Sequence, residues 1–137
     1  MKKYTIRTSQ RIDIVDITPL IRTCLQELQA RDGILTVFCP HTTAGITVNE
    51  NADPDVRRDL SAFLSRTIPE HGPYTHAEGN SDAHIKSTLT NSAQQLIVAD
   101  CRLQLGTWQG VFFMEYDGPR TREVWMQFVG ESSTPGK

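Results

Sequence analysis

The sequence has no long apolar run and no excess of basic residues. Its apolar runs, such as residues 33–39 and 110–114, are far shorter than the roughly 20 residues that span a bilayer. The 14 Lys and Arg residues against 16 Asp and Glu residues give a net charge of −2, unlike the basic surface of a nucleic-acid binder. No apolar stretch of signal-peptide length follows the basic N-terminal residues. We therefore expect a cytoplasmic protein with neither a nucleic acid nor a membrane as partner.

Cysteine is also scarce. The three cysteines, Cys24, Cys39 and Cys101, are odd in number and widely spaced, which excludes a disulfide framework and a Cys-x-x-Cys metal knuckle. Their apolar surroundings predict buried free thiols. A Walker loop, a Rossmann fingerprint, a Gly-x-Ser-x-Gly elbow and a Cys nucleophile with a basic partner are missing as well.

The hydrophobic pattern predicts one α+β domain over residues 1–137, with 131–137 as a frayed tail. Period-2 alternation or short apolar runs predict strands at 4–9, 11–17, 34–39, 44–49, 95–100, 111–116 and 122–129. One helix is expected from an N-cap at Thr18 to a stop at Gly33, and a second from Asp53 with an apolar face that includes Phe63. Residues 68–81 read as an irregular loop, followed by a short helix from Ser81 or Asp82 to Leu89.

The segment HAEGNSDAHIK, residues 76–86, places two imidazoles among carboxylates, an amide and an ammonium. His76 on the loop and His84 in the first helical turn could reach one ion, with Glu78 or Asp82 as a third ligand and His41 as a third or fourth. The alternative is turn and cap chemistry with solvated histidines. The spacing matches no specific metal signature, and nitrogen and oxygen ligands suit zinc, manganese and iron alike.

A second polar segment, HTTAGITVNENAD, covers residues 41–53. Thr42 and Thr43 offer hydroxyls to an anion at one strand end, and Asn49 and Glu50 lie at the other, just before a helix N-terminus that favours phosphate. Ordinary turn and capping roles are the alternative here.

The third polar segment is LGTWQG, residues 105–110, followed by Glu115 and two arginines. Trp108, between glycines, is expected either to face a cleft or to pack on the sheet. Arg120 and Arg122 suit bidentate phosphate or carboxylate binding, and a solvated hairpin end is equally consistent with them.

Together, HTTAGITVNENADPDVRRDL (41–60), HAEGNSDAHIKSTL (76–89) and LGTWQGVFFMEYDGPRTR (105–122) resemble the YjbQ-like family, also called the secondary thiamine-phosphate synthase family. The resemblance implies a single α+β domain with a large, mainly antiparallel sheet and packed helices, homotrimers with sites near subunit boundaries, and a polar pocket for a metal ion or an anion. The residues that match the family's motifs are His41, Thr42, Asn49, Glu50, His76, Glu78, Asn80, His84, Trp108, Gln109 and Arg120.

The activity implied by the resemblance joins hydroxymethylpyrimidine pyrophosphate to thiazole phosphate with release of pyrophosphate, as a weak or side activity. A divalent ion, zinc or another transition ion, or magnesium brought by pyrophosphate, would lie on His76 and His84 with His41 or Glu78. Lys86 and Arg120 would stabilise the leaving group, and Trp108 would stack on a heteroaromatic ring, beside Thr42, Asn49, Asn80 and Gln109 in the substrate site.

Two rival functions use the same residues. In a metal-dependent hydrolase of a phosphorylated metabolite, Glu50 or Glu115 would act as general base. In a non-catalytic trimer, the site would only bind a metal or a phosphorylated metabolite.

Overall fold

The computed structural model describes residues 1–133, and the predicted α+β class is confirmed. Eleven elements follow one another in these residues: β1 (Lys2–Arg7), β2 (Asp13–Asp16), α1 (Thr18–Leu28), β3 (Ala30–Phe38), β4 (Ala44–Glu50), α2 (Pro54–Thr67), α3 (Ser81–Thr90), β5 (Ala93–Ala99), β6 (Arg102–Leu103), β7 (Gln109–Glu115) and β8 (Thr121–Ser132).

The strands form two antiparallel sheets. One has the order β1-β8-β3-β5-β6, and the other has the order β2-β7-β4. Alternate residues of each strand point to one face, and the inward-pointing residues of both sheets join α1 in a single apolar cluster. Leu35 of β3, Ile46 of β4, Phe113 of β7 and Ile21 of α1 are fully buried in it. The loops that follow β4 and β7 are therefore fixed by strands with buried side chains.

Helix α1 differs from the prediction at both ends. Thr18 is the first helical residue, not the N-cap: Ile17 occupies that position, and the Asp16 carboxylate accepts from Thr18 N at 2.9 Å. The helix ends at Leu28, because Gln29 adopts a left-handed conformation with φ 51° and β3 begins at once. Gly33, the predicted stop, lies inside β3 instead.

Helix α2 begins as predicted, because the Asp53 carboxylate accepts from Asp55 N at 2.9 Å and Pro54 occupies the first turn. The apolar face, however, is not buried in the chain: no residue of α2 is buried, and Phe63 is 54% exposed. Leu64 packs at the edge of a small cluster formed by Phe112, Met114 and Tyr116.

Helix α3 follows the predicted loop, with Asn80 at its N-cap position in place of Ser81 or Asp82. Asp82 is buried in the first turn rather than exposed as a cap. Ala83 packs against Phe112, Met114 and Tyr116, and Ser87 Oγ donates to Ala44 O at 2.6 Å. These contacts hold α3 against the three-stranded sheet and set the orientation of His84.

Three further expectations need correction. Cys24 and Cys39 are buried, whereas Cys101 is exposed in the turn between β5 and β6, the latter a short strand that the pattern did not predict. Glu131 and Ser132, expected in a frayed tail, pair with β3, and residues 134–137 lie outside the described part.

Among residues 1–133, no helix has the length and apolar character required to cross a membrane.

Candidate functional site

His76 and His84 lie side by side at the mouth of a cavity. Their ring centroids are 5.3 Å apart with planes at 82°, and Glu78 Oε2 is 3.7 Å from His76 Nε2. The cavity measures about 430 Å³ and combines both imidazoles with an aromatic ring and an aliphatic wall. We call it the histidine pocket, and it is lined by Pro73, Tyr74, Thr75, His76, Ser81, His84 and Ile85.

The distance between the two imidazole ring centres equals that of two rings bound to one metal ion. With metal–nitrogen bonds of about 2.0–2.1 Å and a tetrahedral angle, the centres of two ligating rings stand about 5 Å apart, as they do here. Glu78 is an available carboxylate, since its side chain is 76% exposed. Within residues 1–133, however, no group of three or more His, Cys, Asp and Glu residues is placed as a complete ligand set. The histidine pocket therefore has two neighbouring imidazoles and a nearby carboxylate, but no complete ligand set among residues 1–133.

Asp82 is not available as the third ligand. Its carboxylate accepts from Lys86 Nζ at 2.7 Å and from Arg11 Nη2 at 2.9 Å, and its side chain is fully buried. Lys86 is buried with it and faces a separate cavity of about 360 Å³ beside Arg11 and Glu70. The structure thus places Lys86 on the opposite side of α3 from the histidine pocket.

Asn80 and Arg120 meet through one carboxylate. Asp117 Oδ2 accepts from Asn80 Nδ2 at 2.9 Å and from Arg120 Nη2 at 2.7 Å, while Asp117 Oδ1 accepts from Arg11. The buried Oδ1 of Asn80 has no hydrogen-bond partner in the described structure. A buried acceptor without a partner is costly, so this atom is suited to receive a donor from a ligand or water.

His41 lies apart from the other two candidate histidines. Its Nε2 accepts from Glu123 N at 2.9 Å, so the imidazole continues the β3–β8 pairing past Phe38, where β3 ends. Burial lowers the pKa of His41, and the nearby Arg122 charge lowers it further. The lowered pKa favours the neutral imidazole, whose Nε2 also lies 3.2 Å from Glu123 O. Thr42 beside it is exposed.

Glu115 is fully buried in an ion pair. Arg122 Nε donates to its Oε2 at 2.7 Å, Thr8 Oγ1 donates to the same oxygen at 2.9 Å, and Asp117 N donates to its Oε1. Burial alone would raise the pKa of Glu115, but these hydrogen bonds hold the pKa below its ordinary value. The carboxylate is ionised and its acceptor positions are occupied by protein donors.

The far end of β4 carries a second polar group, formed by the exposed Asn49, Trp108 and Gln109 and the half-buried Glu50. Glu50 opposes Gln109 across the β4–β7 ladder, and Glu50 Oε2 accepts from Ala52 N at 2.7 Å. Asn51 N donates to Trp108 O at 2.8 Å, which fixes the turn that carries the indole. The Trp108 side chain is 64% exposed.

The candidate residues are therefore not assembled within one chain. The histidine pocket is attached to the Ala44 end of β4 through Ser87, whereas Glu50 and Trp108 lie beyond its other end. At about 3.3 Å per residue, the six steps from Ala44 to Glu50 put about 20 Å of strand between these two ends of β4.

Tyr74 and Ile85, two lining residues of the histidine pocket, were not among the predicted site residues. Tyr74 could have been noticed as the one aromatic residue of an otherwise polar loop, at residues 68–80. Arg11 was missed as well, and it pairs with Glu70, Asp82 and Asp117. No local sequence signal marks Arg11, because its three partners lie far away along the chain.

Comparison with known proteins shows one consistent relationship. The family model described as "UPF0047 protein YjbQ-like" matches residues 2–131. The UPF0047 protein MJ1081 of Methanocaldococcus jannaschii is 53% identical over 129 residues, which cover 94% of each chain. The UPF0047 protein YugU of Bacillus subtilis is 46% identical over 131 residues, covering 95% of this chain and 99% of that protein.

Solved structures agree with this relationship. An uncharacterised conserved protein of the YjbQ/UPF0047 family from Clostridium acetobutylicum superposes with a TM-score of 0.92 at 50% identity, covering 94% of this chain and 100% of that one. The hypothetical protein APE1520 from Aeropyrum pernix gives a TM-score of 0.91 at 35% identity, with 95% and 98% coverage.

Proposed function

This chain belongs to the YjbQ-like UPF0047 family, and from that premise we propose that it is a metal-assisted transferase of phosphorylated heteroaromatic metabolites. The proposed reaction is the thiamine-phosphate synthase reaction, as a weak or side activity. The observation that carries the proposal is the imidazole pair of His76 and His84, at 5.3 Å, on a cavity with the Tyr74 ring and the Ile85 side chain in its wall.

The reaction needs charge stabilisation at the leaving group. The thiazole nitrogen attacks the methylene carbon of hydroxymethylpyrimidine pyrophosphate, a carbon–nitrogen bond forms, and the carbon–oxygen bond breaks with its electron pair leaving on pyrophosphate. A divalent ion held by His76, His84 and Glu78 would neutralise that charge. Two nitrogen donors and one oxygen donor favour zinc or another transition ion, with magnesium entering only together with pyrophosphate.

The protein side chains have separate roles in this proposal. His76 and His84 would hold the ion, and Tyr74 and Ile85 would shield the ring of the substrate from water. The unpartnered Asn80 Oδ1 accepts a hydrogen bond from the substrate or from ordered water, and Arg120, half-exposed on Asp117, attracts phosphate oxygens.

A homotrimer would complete the site. Asn49, Glu50, Trp108 and Gln109 lie at the end of β4 opposite the end that α3 and the histidine pocket contact, with about 20 Å of strand between the two ends. We propose that a neighbouring protomer supplies this group, with Trp108 stacking on the pyrimidine or thiazole ring, and that His41 and Thr42 line the same boundary. The exposed Phe63, Ile85 and Leu89 are apolar side chains that such an interface would cover.

A hydrolase is the second candidate, because the histidine pocket is open to water in the single chain: the His76 side chain is 43% exposed. Glu50 of a neighbouring protomer, which forms no ion pair within residues 1–133, would then be the general base. Glu115, the other carboxylate considered for that role, is buried on Arg122. Lys86, on the far side of α3, contributes to either reaction only by holding the helix through Asp82.

The test combines metal content with product analysis. Untagged protein purified without chelator is expected to carry about one transition ion per chain, and the double variant His76→Ala/His84→Ala is expected to lose both the ion and the formation of thiamine phosphate. His71→Ala is the matched control, because His71 is on the same loop but its side chain is 91% exposed. Undiminished thiamine-phosphate formation in the double variant would overturn the proposal, and inorganic phosphate without a joined product would favour the hydrolase.

A further inference from the structure

A second cavity lies on the other sheet, between α1 and the β5–β6 hairpin. Its volume is about 420 Å³, within the range of small-molecule sites. Leu25, Ala30 and Leu103 form an apolar floor, and it shares no lining residue with the histidine pocket. The polar part of its lining consists of Arg22, Gln26, Gln29, Cys101, Arg102 and Ser133.

The walls of this cavity are held by backbone hydrogen bonds. The hairpin turn places Asp100 and Cys101 in left-handed conformations, with φ of 52° and 63°, the geometry of a two-residue hairpin turn. Cys101 N donates to Arg31 O at 3.0 Å, which ties the turn to β3. On the opposite wall, Ser133 N donates to Gln29 O at 2.7 Å. The cavity is thus preformed rather than a gap between loose loops.

The charge of the cavity is unbalanced. Arg22 and Arg102 contribute two guanidinium groups, and within residues 1–133 the lining contains no carboxylate. Among residues 1–133, neither arginine has an ion pair or a side-chain hydrogen bond, whereas five of the other eight arginines are paired with carboxylates. Those paired arginines are Arg11, Arg31, Arg58, Arg120 and Arg122.

Helical spacing explains why one wall is polar. Arg22, Gln26 and Gln29 recur at intervals of four and three residues, so they share one face of α1 and its C-cap, beside the buried Leu25. Amide groups and guanidinium groups over an apolar floor suit a ligand with an anionic head and an apolar body, since a guanidinium pairs bidentately with phosphate or carboxylate oxygens.

We propose that this cavity is a binding site for a small organic anion, a phosphate monoester or a carboxylate carried on an apolar group. Arg22 and Arg102 hold the anionic head, Gln26 and Gln29 donate to its remaining oxygens, and Leu25 and Leu103 contact the body. The site is independent of the proposed transferase reaction, because the two cavities have separate walls.

Cys101 provides a reporter within the cavity wall. It is the exposed cysteine, and Cys24 and Cys39 are buried, so alkylation by neutral iodoacetamide in native protein measures this position. The probe is phenyl phosphate at about 10 mM, above the millimolar Kd expected for so small a ligand. For a Kd of about 1 mM, alkylation of Cys101 should slow about tenfold. Benzoate in place of phenyl phosphate distinguishes a carboxylate site from a phosphate site, and benzyl alcohol tests the need for the anion.

The decisive comparison uses variants of equal charge. Arg22→Gln/Arg102→Gln should lose the protection by phenyl phosphate, while Arg7→Gln/Arg58→Gln, with the same change in charge at exposed positions away from the cavity, should keep it. Protection is measured as the ratio of alkylation rates with and without probe in each protein, which cancels any change in the intrinsic reactivity of the thiol. The proposal is overturned by a wild-type protein that neither anion protects, by equal protection from benzyl alcohol, or by protection that survives Arg22→Gln/Arg102→Gln.

Discussion

Arg122 Nε lies 2.7 Å from Glu115 Oε2, and this ion pair joins the two sheets of the fold. Arg122 is on β8 of the five-stranded sheet and Glu115 is on β7 of the three-stranded sheet. Arg122 Nη2 also donates to Thr43 Oγ1 at 2.8 Å, in the turn that precedes β4. Both charged side chains are at least 96% buried, so the pair holds the sheets together in an environment where neither partner can be solvated.

Replacing Arg122 with Met should lower the free energy of unfolding by about 3–5 kcal/mol, since it leaves the Glu115 carboxylate buried without its cation. Urea denaturation at neutral pH measures the loss. Arg120→Met is the control: Arg120 is two residues away and 49% exposed, so its ion pair with Asp117 is expected to contribute below about 1 kcal/mol. Comparable losses in the two variants would contradict an inter-sheet role for Arg122.

The two partners of Asp82 predict an asymmetric pair of substitutions. Lys86→Met leaves Asp82 paired with Arg11, whereas Asp82→Asn leaves the Lys86 ammonium, 2% exposed, with no carboxylate within hydrogen-bonding distance. We expect Asp82→Asn to cost about 3–5 kcal/mol and Lys86→Met about 1–2 kcal/mol. Thermal and urea unfolding of both variants measure the difference. A larger loss in Lys86→Met would show that Arg11 does not stabilise the carboxylate.

Local patterns predicted most of the elements, but they missed the end of α1 and the hairpin turn at Cys101. The cap at Asp53 followed by Pro54 is a local signal, and α2 begins there as predicted. The predicted helix α1 extends to Gly33, because glutamine is rarely the left-handed residue that ends a helix. In the structure, Gln29 has this role. Cys101 was expected to be buried on the basis of apolar surroundings, but it lies in a two-residue hairpin turn that has no Asn-Gly or Asp-Gly signature.

Sequence reasoning was weaker for the site, because polar residues with long-range partners look alike in sequence. His76 and His84 were predicted to lie together, and they do. Glutamate and lysine are residue types that often act in catalysis. Here Glu115 and Lys86 each form an ion pair with a buried partner instead. The tie of Lys86 to Asp82 follows helical i, i+4 spacing and could have been predicted, whereas the contact between Glu115 and Arg122 depends on how two sheets pack.

The neutral His41 predicts a pH dependence of stability. Its pKa in the folded protein is lowered from about 6.5, first by burial and then by Arg122. Between that lowered pKa and 6.5 the unfolded chain binds more protons, so His41 stabilises the fold fully above pH 6.5 and less as the pH falls below it. The free energy of unfolding at pH 7.5 minus that at pH 5.5 should therefore be smaller in His41→Asn than in the wild type.

Urea denaturation at the two pH values gives this difference directly. His71→Asn is the control, because the His71 side chain is exposed. An unchanged pH dependence in His41→Asn, or an equal reduction in both variants, would contradict the role assigned to His41.

Trp108 and Trp125, the two tryptophans of the chain, allow the proposed stacking of substrate to be observed. Trp108 is 64% exposed, while Trp125 packs against Phe38 with ring centroids 5.8 Å apart and lies under Lys3 Nζ at 4.8 Å. If the indole of Trp108 contacts the substrate ring, thiazole phosphate or hydroxymethylpyrimidine pyrophosphate should quench the fluorescence of Trp125→Phe, which retains Trp108 alone. The same ligands should leave the fluorescence of Trp108→Phe unchanged.

Kinetics separate stacking from a change in structure. Trp108→Ala should raise the KM for thiamine-phosphate formation about fivefold, because the stacking of an aromatic pair contributes about 1 kcal/mol, while Trp108→Phe should keep most of the affinity. The exposed side chain makes no buried packing contact that its removal would break, so the melting temperature of Trp108→Ala should match that of the wild type.

Quenching that persists in Trp108→Phe would place the ligand elsewhere. A trimer interface covering Trp108 would instead appear as a lower melting temperature in Trp108→Ala, with a loss of trimer in sedimentation, and would move Trp108 from the substrate to the subunit contact.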